Sequence, residues 1–538
     1  MNNVFKSYGF NWVVILTASF IILLILGCKK EDIKDDPTDT PFVRLVESSI
    51  KSELMAHTIK YSVLLPADYK TSGLSYPVVY LLHGYGDIYT AWSRSGNIQY
   101  HSDNLGAEIE PMIFVMPDGY NSYFLNNFSG TYHYMDMFVK ELVPEIDQLY
   151  RTKKEASQRA VMGYSMGGYG ALALPAKNPD VFSISVPLSM SFRTDEQYLE
   201  EPQGVFNSQW ASIFGANGVS GPARITPYFK EYSPFYFFDQ NDLSAFSSLK
   251  LFFVCGDDEE TLSVTNGALH NLLRSKNFAH EYRMGNGGHD FGYWSKVLPE
   301  ALRFISKGFK GESYPPELTT VELGPSITNG QYIQENVAGT SASIGVFRPI
   351  NYANTTASYP AIFYLNDSEG TDRMTNAVKV MSFLNNNMQS GKIPHSVIVE
   401  IPCTNGNVSE ADLKSIIAHT ESNHRIVTTK ESRVLLGNSK GGENAWLLMP
   451  VIKNNIKNCF IFDALLPDNA IGDSGIYYYI DATQKTSSFK GNHSLYVDLK
   501  SRGLAREYRV RQGTVSFQSF INGMDGSWFY LNKQLKNQ

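Results

Sequence analysis

Two stretches of the chain carry the Gly-x-Ser-x-Gly frame that can surround a nucleophilic serine. One frame runs from Gly163 to Gly167 around Ser165, and the other runs from Gly437 to Gly441 around Ser439. With 42 glycines in 538 residues, a bare frame is a weak signal. The flanking sequence therefore decides whether a frame indicates nucleophilic catalysis.

The first frame has the flanks of a strand-to-helix turn. The apolar "RAVM" precedes it, and "GGYGALALPAKNP", rich in small residues, follows. Glycine on both sides of Ser165 permits a strained backbone, so the turn is predicted to project the serine hydroxyl into a cleft. The same turn leaves the Met166 N–H at a helix N-terminus, where it can donate to an oxyanion.

A serine hydroxyl becomes a good nucleophile only when a neutral imidazole accepts its proton. Of the eleven histidines, His289 stands out, because "NGGHDFGYW" places it in a Gly-rich loop between a strand and the last helix of this half. The order serine, acid, histidine is that of α/β-hydrolases. The acid is then expected after the strand "LFFV", where four carboxylates follow one another: Asp257, Asp258, Glu259 and Glu260.

Around these residues the chain alternates strand-like and helix-like runs. "YPVVYLLHG" and "MIFVMPDG" are short apolar runs ending in turn residues, as expected of parallel strands buried on both faces. "MFVKELVPEIDQLY" has its apolar residues on one helical stripe. This alternation predicts an open α/β sheet wrapped by helices.

Six motifs together resemble one known family. "YLLHGYGD", "MPDG", "FVKELVPEID", "GYSMGG", "CGDDEE" and "GGHDFGYW" are similar to those of the esterase family that includes esterase D, feruloyl esterases and acetylxylan esterases. The resemblance covers nearly all of residues 50–308. It implies an α/β-hydrolase fold with Ser165 as nucleophile and His289 as base, and it implies no metal or cofactor.

The same resemblance implies further roles. It gives the acid as Glu259, although the family usually has Asp there, so Asp258 stays open as a rival. It gives the second oxyanion donor as the Tyr85 N–H, beside that of Met166. His83, just before this turn, is interpreted as a scaffold residue and not as the base.

The second half of the chain repeats the first. "EYRVRQGTVSFQSF" from Glu507 aligns without gaps on "EYRMGNGGHDFGYW" from Glu281, 226 residues earlier. We therefore expect two tandem α/β-hydrolase-type domains, the second shortened and lacking the cap over the cleft. The predicted boundaries are 44–308 for the catalytic domain, 309–318 for a linker and 319–538 for the degenerate domain.

The second frame lacks its partners. At the same offset the base position holds Val515, the acid position holds Lys485, and the oxyanion turn reads Asn366-Asp367. A serine without a base is an ordinary alcohol, so Ser439 is predicted to be inactive. The degenerate domain is expected either to stabilise the first domain or to bind a polysaccharide through exposed aromatic residues.

Composition limits the class of protein. Hydrophobic content of 43% and charged content of 18% indicate globular domains, and a net charge of −7 without a basic cluster gives no support for nucleic-acid binding. Beyond the N-terminal region only Cys255, Cys403 and Cys459 remain, each in or beside an apolar run. We expect buried free thiols and no disulfide framework.

The N-terminus reads as a targeting segment. Lys6 precedes an apolar run that ends in "ILGC", which resembles a bacterial lipobox with Cys28 as the acylated residue. Residues 1–27 are then a signal peptide and 28–43 a lipoprotein tether. An uncleaved transmembrane anchor is the alternative. Either interpretation places the folded part outside the cytoplasmic membrane, and the first predicts an exported lipoprotein at the outer membrane or cell surface.

These observations predict a serine carboxylic-ester hydrolase that removes acetyl or feruloyl groups from a xylan-like plant polysaccharide. The substrate is inferred from the family resemblance and the predicted location. Two alternatives stay open. One is an esterase acting on small esters or thioesters, such as siderophores or S-formylglutathione-like conjugates. The other is a non-catalytic glycan-binding lipoprotein.

Overall fold

A computed structural model of the chain describes residues 42–315, 320–327, 332–350, 352–368, 370–403 and 407–536. The predicted signal peptide and Cys28 lie outside these residues. Arg44–Gln538 forms one compact unit. In the part of the chain that is described, no helix is both long and apolar enough to cross a membrane.

The strands of the first half form a sheet with the parallel strands that the apolar runs predicted, and antiparallel strands at one edge make it a mixed sheet. Their order in the sheet is β1-β2-β4-β3-β5-β6-β7-β8. The strands from β4 to β8 are parallel, and β1 and β2 add an antiparallel edge. The bounds are β1 Leu45–Ser52, β2 His57–Leu64, β3 Val78–Leu82, β4 Ile113–Pro117, β5 Arg159–Tyr164, β6 Ile184–Leu188, β7 Lys250–Gly256 and β8 Glu281–Gly285.

The strands of the second half follow the same order. It is β9-β10-β12-β11-β13-β14-β15-β16, again with two antiparallel strands at the outer edge. The bounds are β9 Tyr332–Asn336, β10 Ser343–Phe347, β11 Ala361–Asn366, β12 Val397–Pro402, β13 Arg433–Asn438, β14 Asn458–Phe462, β15 Tyr477–Thr483 and β16 Arg506–Arg511. The predicted domain boundaries stay a prediction, since one sheet runs through both halves.

The two half-sheets join through β8 and β16. These strands pair antiparallel, with Met284 opposite Val510, and make one continuous sheet of sixteen strands among the described residues. Alternate side chains of a strand face opposite sides of a sheet. On one side a single apolar cluster includes Val78 and Phe363 and so runs under both halves. On the other side each half has its own cluster.

Helices cover both faces, as buried parallel strands require. Two short π-helical turns, Phe138–Leu142 and Phe206–Trp210, and several 3₁₀ turns link them. The α-helices of the described residues are α1 Tyr69–Ser72, α2 Ala91–Arg94, α3 Ile98–Leu105, α4 Tyr134–Met137, α5 Val143–Leu149, α6 Met166–Lys177, α7 Asp195–Glu200, α8 Gln203–Val205, α9 Ala211–Phe214, α10 Pro227–Tyr232, α11 Pro234–Phe237, α12 Glu260–Ser275, α13 Phe291–Phe309, α14 Gly370–Gln389, α15 Glu410–Asn423, α16 Ser439–Ile452, α17 Phe489–Ser501, α18 Phe517–Gly526 and α19 Trp528–Leu535.

The two halves differ most in the connection that leads to the strand before the acid position. Between β6 and β7 the first half inserts the helices α7 to α11, whereas β14 and β15 are joined without a helix. The inserted helices pack on aromatic residues, among them Tyr198 stacked on Phe229 with ring centroids 4.1 Å apart. Cys255, Cys403 and Cys459 are buried free thiols, as predicted.

Candidate active site

Ser165 lies in a strained turn between β5 and α6. Its φ is 56° and its ψ is −120°, a conformation that L-residues rarely adopt. A Cβ on Gly163 would come within 2.3 Å of the Gly167 carbonyl oxygen, and one on Gly167 within 2.3 Å of the Leu82 carbonyl oxygen. Both positions therefore require glycine, which explains the frame found in the sequence.

Two backbone amides are available for an oxyanion at this turn. Among the described residues, neither the Met166 N–H nor the Tyr85 N–H donates a hydrogen bond to a protein atom. His83 is buried before the Tyr85 turn, with Nδ1 2.8 Å from the Gly84 carbonyl oxygen and Nε2 2.8 Å from the Gly119 nitrogen. Both of its ring nitrogens are thus engaged with backbone, as a scaffold role requires.

Glu259 and His289 form the acid–base pair of the site. The Glu259 carboxylate oxygen Oε2 lies 2.8 Å from His289 Nδ1. The Glu259 side chain is 1% exposed and the His289 side chain 39% exposed, so the carboxylate lies behind an imidazole that reaches solvent. The other carboxylate oxygen accepts hydrogen bonds from the Ser189 hydroxyl at 2.5 Å and the Gly256 N–H at 2.8 Å.

Asp258, the rival acid, has a different environment. It is exposed, and among the described residues its carboxylate has no hydrogen bond or ion pair with His289. Desolvation by the surrounding protein atoms and the charge of the neighbouring Asp257 raise the pKa of the Asp258 carboxyl above its usual value. Of the two candidates, the geometry therefore favours Glu259, and the catalytic role itself stays a prediction.

The sheet brings these residues to one edge. Ser165 follows β5, Glu259 follows β7 and His289 follows β8, and these strands run parallel, so their carboxyl ends meet at the same edge. In the described residues the Ser165 hydroxyl has no hydrogen bond to His289. Hydrogen bonds between a nucleophile and its base often tighten only when substrate binds.

Two supporting residues were not predicted from the sequence. Ser189, after β6, donates to the Glu259 carboxylate and accepts from the Trp294 indole N–H at 2.8 Å. Trp294 also packs edge-on against the His289 ring, with centroids 5.1 Å apart. Trp294 is the last residue of the motif "GGHDFGYW", so the sequence offered a reason to consider it. Ser189 follows a buried strand, and no sequence pattern distinguishes it from other serines.

Of the aromatic side chains around the site, some are exposed to solvent and others are buried. Tyr85 is 43% exposed, whereas Trp92 is buried and donates its indole N–H to the Leu82 carbonyl oxygen at 2.9 Å. In the inserted helices Tyr232, Phe237 and Phe238 belong to the apolar core. These three residues are therefore packing residues.

The second frame has different neighbours. Ser439 has a φ of 50° at the start of α16, a positive value like that of Ser165. The Asp367 carboxylate accepts the Lys440 N–H at 3.3 Å, and burial raises the pKa of this carboxyl. The Lys440 N–H, which corresponds to the Met166 N–H of the first half, is thus already bonded to the Asp367 carboxylate. Val515, at the position that corresponds to the base, is an exposed apolar residue.

The chemistry of the described residues does not suggest a metal centre. No group of three or more His, Cys, Asp or Glu side chains within them is arranged to hold a metal ion. The site in the first half instead has the groups for nucleophilic acyl transfer: a hydroxyl at a strained turn, an imidazole backed by a carboxylate, and two amides.

Residues 52–305 match the family model described as "Putative esterase". The resemblance expected from the motifs is thus confirmed for this segment, about half of the chain, which has an α/β-hydrolase-like fold with a mixed sheet. An esterase of Mycobacterium tuberculosis is 40% identical over 127 residues, which cover 22% of this chain and 25% of the relative.

Further similarities fall in the same half. An endo-1,4-beta-xylanase/feruloyl esterase of Xylanibacter ruminicola is 33% identical over 135 residues, 24% of this chain and 18% of the relative. An acetyl esterase of Caldicellulosiruptor saccharolyticus is 25% identical over 244 residues, 43% of this chain and 83% of the relative. A solved ferulic acid esterase has 26% identity and a TM-score of 0.43, covering 49% of this chain and 98% of that one. The matched segments span only 25% of the length of the Mycobacterium tuberculosis esterase and 18% of the length of the Xylanibacter ruminicola protein.

Proposed function

Since residues 52–305 match the esterase family, we propose that the chain is a serine carboxylic-ester hydrolase whose active site lies in its first half. The observation that carries the proposal is the 2.8 Å contact between Glu259 and His289, at the sheet edge where Ser165 sits in its strained turn. A buried carboxylate orients an imidazole and stabilises its protonated form, which is what a general base next to a nucleophile needs.

The proposed reaction has two balanced halves. The Ser165 Oγ bonds to the ester carbonyl carbon while His289 Nε2 takes the hydroxyl proton, and the Met166 and Tyr85 amides hold the oxyanion. His289 then gives that proton to the departing alcohol as the C–O bond breaks, which leaves an acyl-serine. Water attacks the acyl-serine, again giving a proton to His289, which returns it to Ser165 as the carboxylic acid leaves.

As substrate we propose acetyl or feruloyl esters of a plant polysaccharide. Two of the similar proteins, an endo-1,4-beta-xylanase/feruloyl esterase and an acetyl esterase, support these acyl groups. The exposed ring of Tyr85, next to its own oxyanion amide, is a suitable surface for a sugar or an aromatic acyl group.

The test is hydrolysis by the full chain and by Ser165→Ala, with Ser439→Ala as the matched variant of the second frame. Acetylated xylan, methyl ferulate and 4-nitrophenyl acetate are assayed in parallel. We expect Ser165→Ala to lose three or more orders of magnitude in turnover, about the loss known for removal of a triad member, and Ser439→Ala to retain activity. If the chain hydrolyses only small esters or thioesters, the proposed polysaccharide substrate is wrong. If Ser165→Ala is as active as the wild type, the proposed serine hydrolase is wrong.

We also propose that the chain is an exported lipoprotein anchored through Cys28 at the outer membrane or cell surface. The apolar run, the "ILGC" sequence and the charged tether after it support this location. Metabolic labelling with a radioactive fatty acid is expected to mark the wild type and not Cys28→Ala. Labelling that persists in Cys28→Ala would contradict the anchor.

The second half we interpret as a degenerate copy of the first. The repeated strand order and the ungapped alignment at an offset of 226 residues support duplication. The Asp367 carboxylate at the turn before Ser439 supports loss of catalysis there, because a negative charge repels an oxyanion. To test a polysaccharide-binding role for this half, we compare how much Ser165→Ala protein binds to insoluble xylan with residues 319–538 present and with these residues removed.

A further inference from the structure

The residue two positions before the candidate acid is held by the second half of the chain. The Asp257 carboxylate is 4% exposed, forms an ion pair with the Arg509 guanidinium and accepts the Tyr508 N–H at 3.1 Å. The Asp257 carbonyl oxygen accepts the Tyr496 hydroxyl at 2.7 Å and the Lys500 ammonium at 3.0 Å. Four groups from α17 and β16 thus converge on one residue of the first half.

These contacts hold the acid loop, residues 256–259, and a further hydrogen bond extends them toward Glu259. Tyr496 Oη lies 2.8 Å from the Ser263 hydroxyl, which in turn hydrogen-bonds the Glu259 carbonyl oxygen. From the first half, Asp257 N donates to the Gly285 carbonyl oxygen at the end of β8, at 3.0 Å, and Asp258 N donates to the Gly287 carbonyl oxygen in the loop that carries His289, at 3.1 Å. The acid loop is therefore clamped between the second half and the histidine loop.

Arg509 is itself firmly placed. Its guanidinium also pairs with Glu507 at 2.6 Å and donates to the Tyr530 hydroxyl at 2.8 Å. When one partner of a buried ion pair is removed, the other keeps an uncompensated charge. The surrounding structure must then rearrange so that water can reach that charge. Removing Arg509 would leave that charge on Asp257, whose other carboxylate oxygen already has no hydrogen-bond partner.

The interface also contains the reciprocal arrangement. Gln484 of the second half accepts the Tyr282 N–H at 2.8 Å and the Arg283 guanidinium at 2.9 Å. Tyr282 and Arg283 are the residues that the offset of 226 aligns with Tyr508 and Arg509. The reciprocal side, however, touches no residue of the acid loop, so it provides a matched control within the same interface.

We propose that the second half positions the acid loop of the first half, with Arg509 as the principal positioning residue and Tyr496 as a second one. This inference rests on the proposed esterase function. It assigns to the degenerate half a task in catalysis that is carried out through Asp257 and Glu259, without contact with substrate.

The test compares Arg509→Met, Arg509→Lys and Tyr496→Phe with the control Gln484→Ala in the full chain. Hydrolysis of 4-nitrophenyl acetate gives kcat and KM, and hydrogen–deuterium exchange of peptides covering residues 256–263 reports the acid loop directly. We expect Arg509→Met to lower kcat at least tenfold at unchanged KM and to speed exchange in this loop. Arg509→Lys is expected to recover part of both, and Gln484→Ala to change neither.

Two outcomes would overturn the inference. In one, Arg509→Met and Tyr496→Phe keep both kcat and loop exchange within twofold of wild type. In the other, Gln484→Ala matches their effects, which would indicate general loosening of the interface. If Arg509→Met does not fold, Tyr496→Phe decides, since it removes one hydroxyl. Failure of the esterase proposal is distinguishable, because the wild type would then lack Ser165-dependent hydrolysis while loop exchange still reports on positioning.

Discussion

The Glu259 carboxylate lies 2.8 Å from the His289 imidazole although thirty positions separate the two residues in sequence. Adjacent parallel strands, β7 and β8, bring them together, and the Ser189 hydroxyl and the Gly256 N–H hold the second carboxylate oxygen. The imidazole is therefore oriented by a buried acid whose own position is fixed by two donors.

This contact predicts which acid the reaction needs. Glu259→Gln keeps the shape but removes the charge that stabilises the protonated imidazole, so kcat is expected to fall by three or more orders of magnitude. Asp258→Asn, one position away and exposed, is the control and is expected to stay within about threefold of wild type. Steady-state kinetics on 4-nitrophenyl acetate measure both, and a reversed ranking would make Asp258 the acid.

Ser189 gives a graded prediction. Ser189→Ala removes one donor to the Glu259 carboxylate and the acceptor of the Trp294 N–H. Hydrogen bonds to charged groups contribute about 1.5–3 kcal/mol, so kcat/KM is expected to fall at least tenfold. The control is Ser185→Ala in β6, the strand that ends just before Ser189; this buried serine donates to the Ala171 carbonyl oxygen and makes no hydrogen bond to the acid. Equal kcat/KM in both variants would contradict the supporting role.

Buried histidines between the halves predict how stability depends on pH. Burial lowers the pKa of His493, on α17, to about 4, below its ordinary value of 6.5. Between these values the unfolded chain binds a proton that the folded chain does not, so stability is complete above pH 6.5 and is lost as the pH falls toward 4. From pH 6.5 to 5 the loss amounts to about 2 kcal/mol for such a histidine.

His493→Gln is therefore expected to flatten the pH dependence of the free energy of unfolding, whatever its effect at pH 7. Urea denaturation at pH 7 and pH 5 measures it, with Lys310→Gln, at an exposed position, as a control for general charge effects. His280, whose pKa burial also lowers to about 4, continues to contribute in the variant. An unchanged slope in His493→Gln would show that this imidazole is not the titrating group.

Sequence reasoning reached the elements that local pattern determines. Continuous apolar runs such as "VVYLL" predicted buried parallel strands, and the flanks of Ser165 predicted its strand-to-helix turn. Four consecutive carboxylates left the acid open, because the choice depends on which side chain a turn directs inward. Glu259 was favoured through a family resemblance, and the structure brings that residue to His289.

Other features depend on tertiary contacts that no local pattern encodes. The pairing of β8 with β16 joins two strands whose paired residues lie 226 positions apart in the chain. The Asp257 carboxylate that pairs with Arg509 is one of 53 acidic side chains in the sequence. Ser189 gains its importance only because β6 ends beside β7. The alignment indicated that the strand order repeats, but it did not indicate the surface through which the two halves meet.

The most direct test of the account is to identify the residue that a fluorophosphonate probe modifies. Such a probe phosphonylates a serine whose hydroxyl is activated by a neighbouring base. After incubation of the full chain and proteolysis, mass spectrometry is expected to find one adduct per chain on Ser165, abolished by His289→Ala, with Ser439 unmodified. An adduct on Ser439, or no adduct on an intact folded chain, would contradict the central claim.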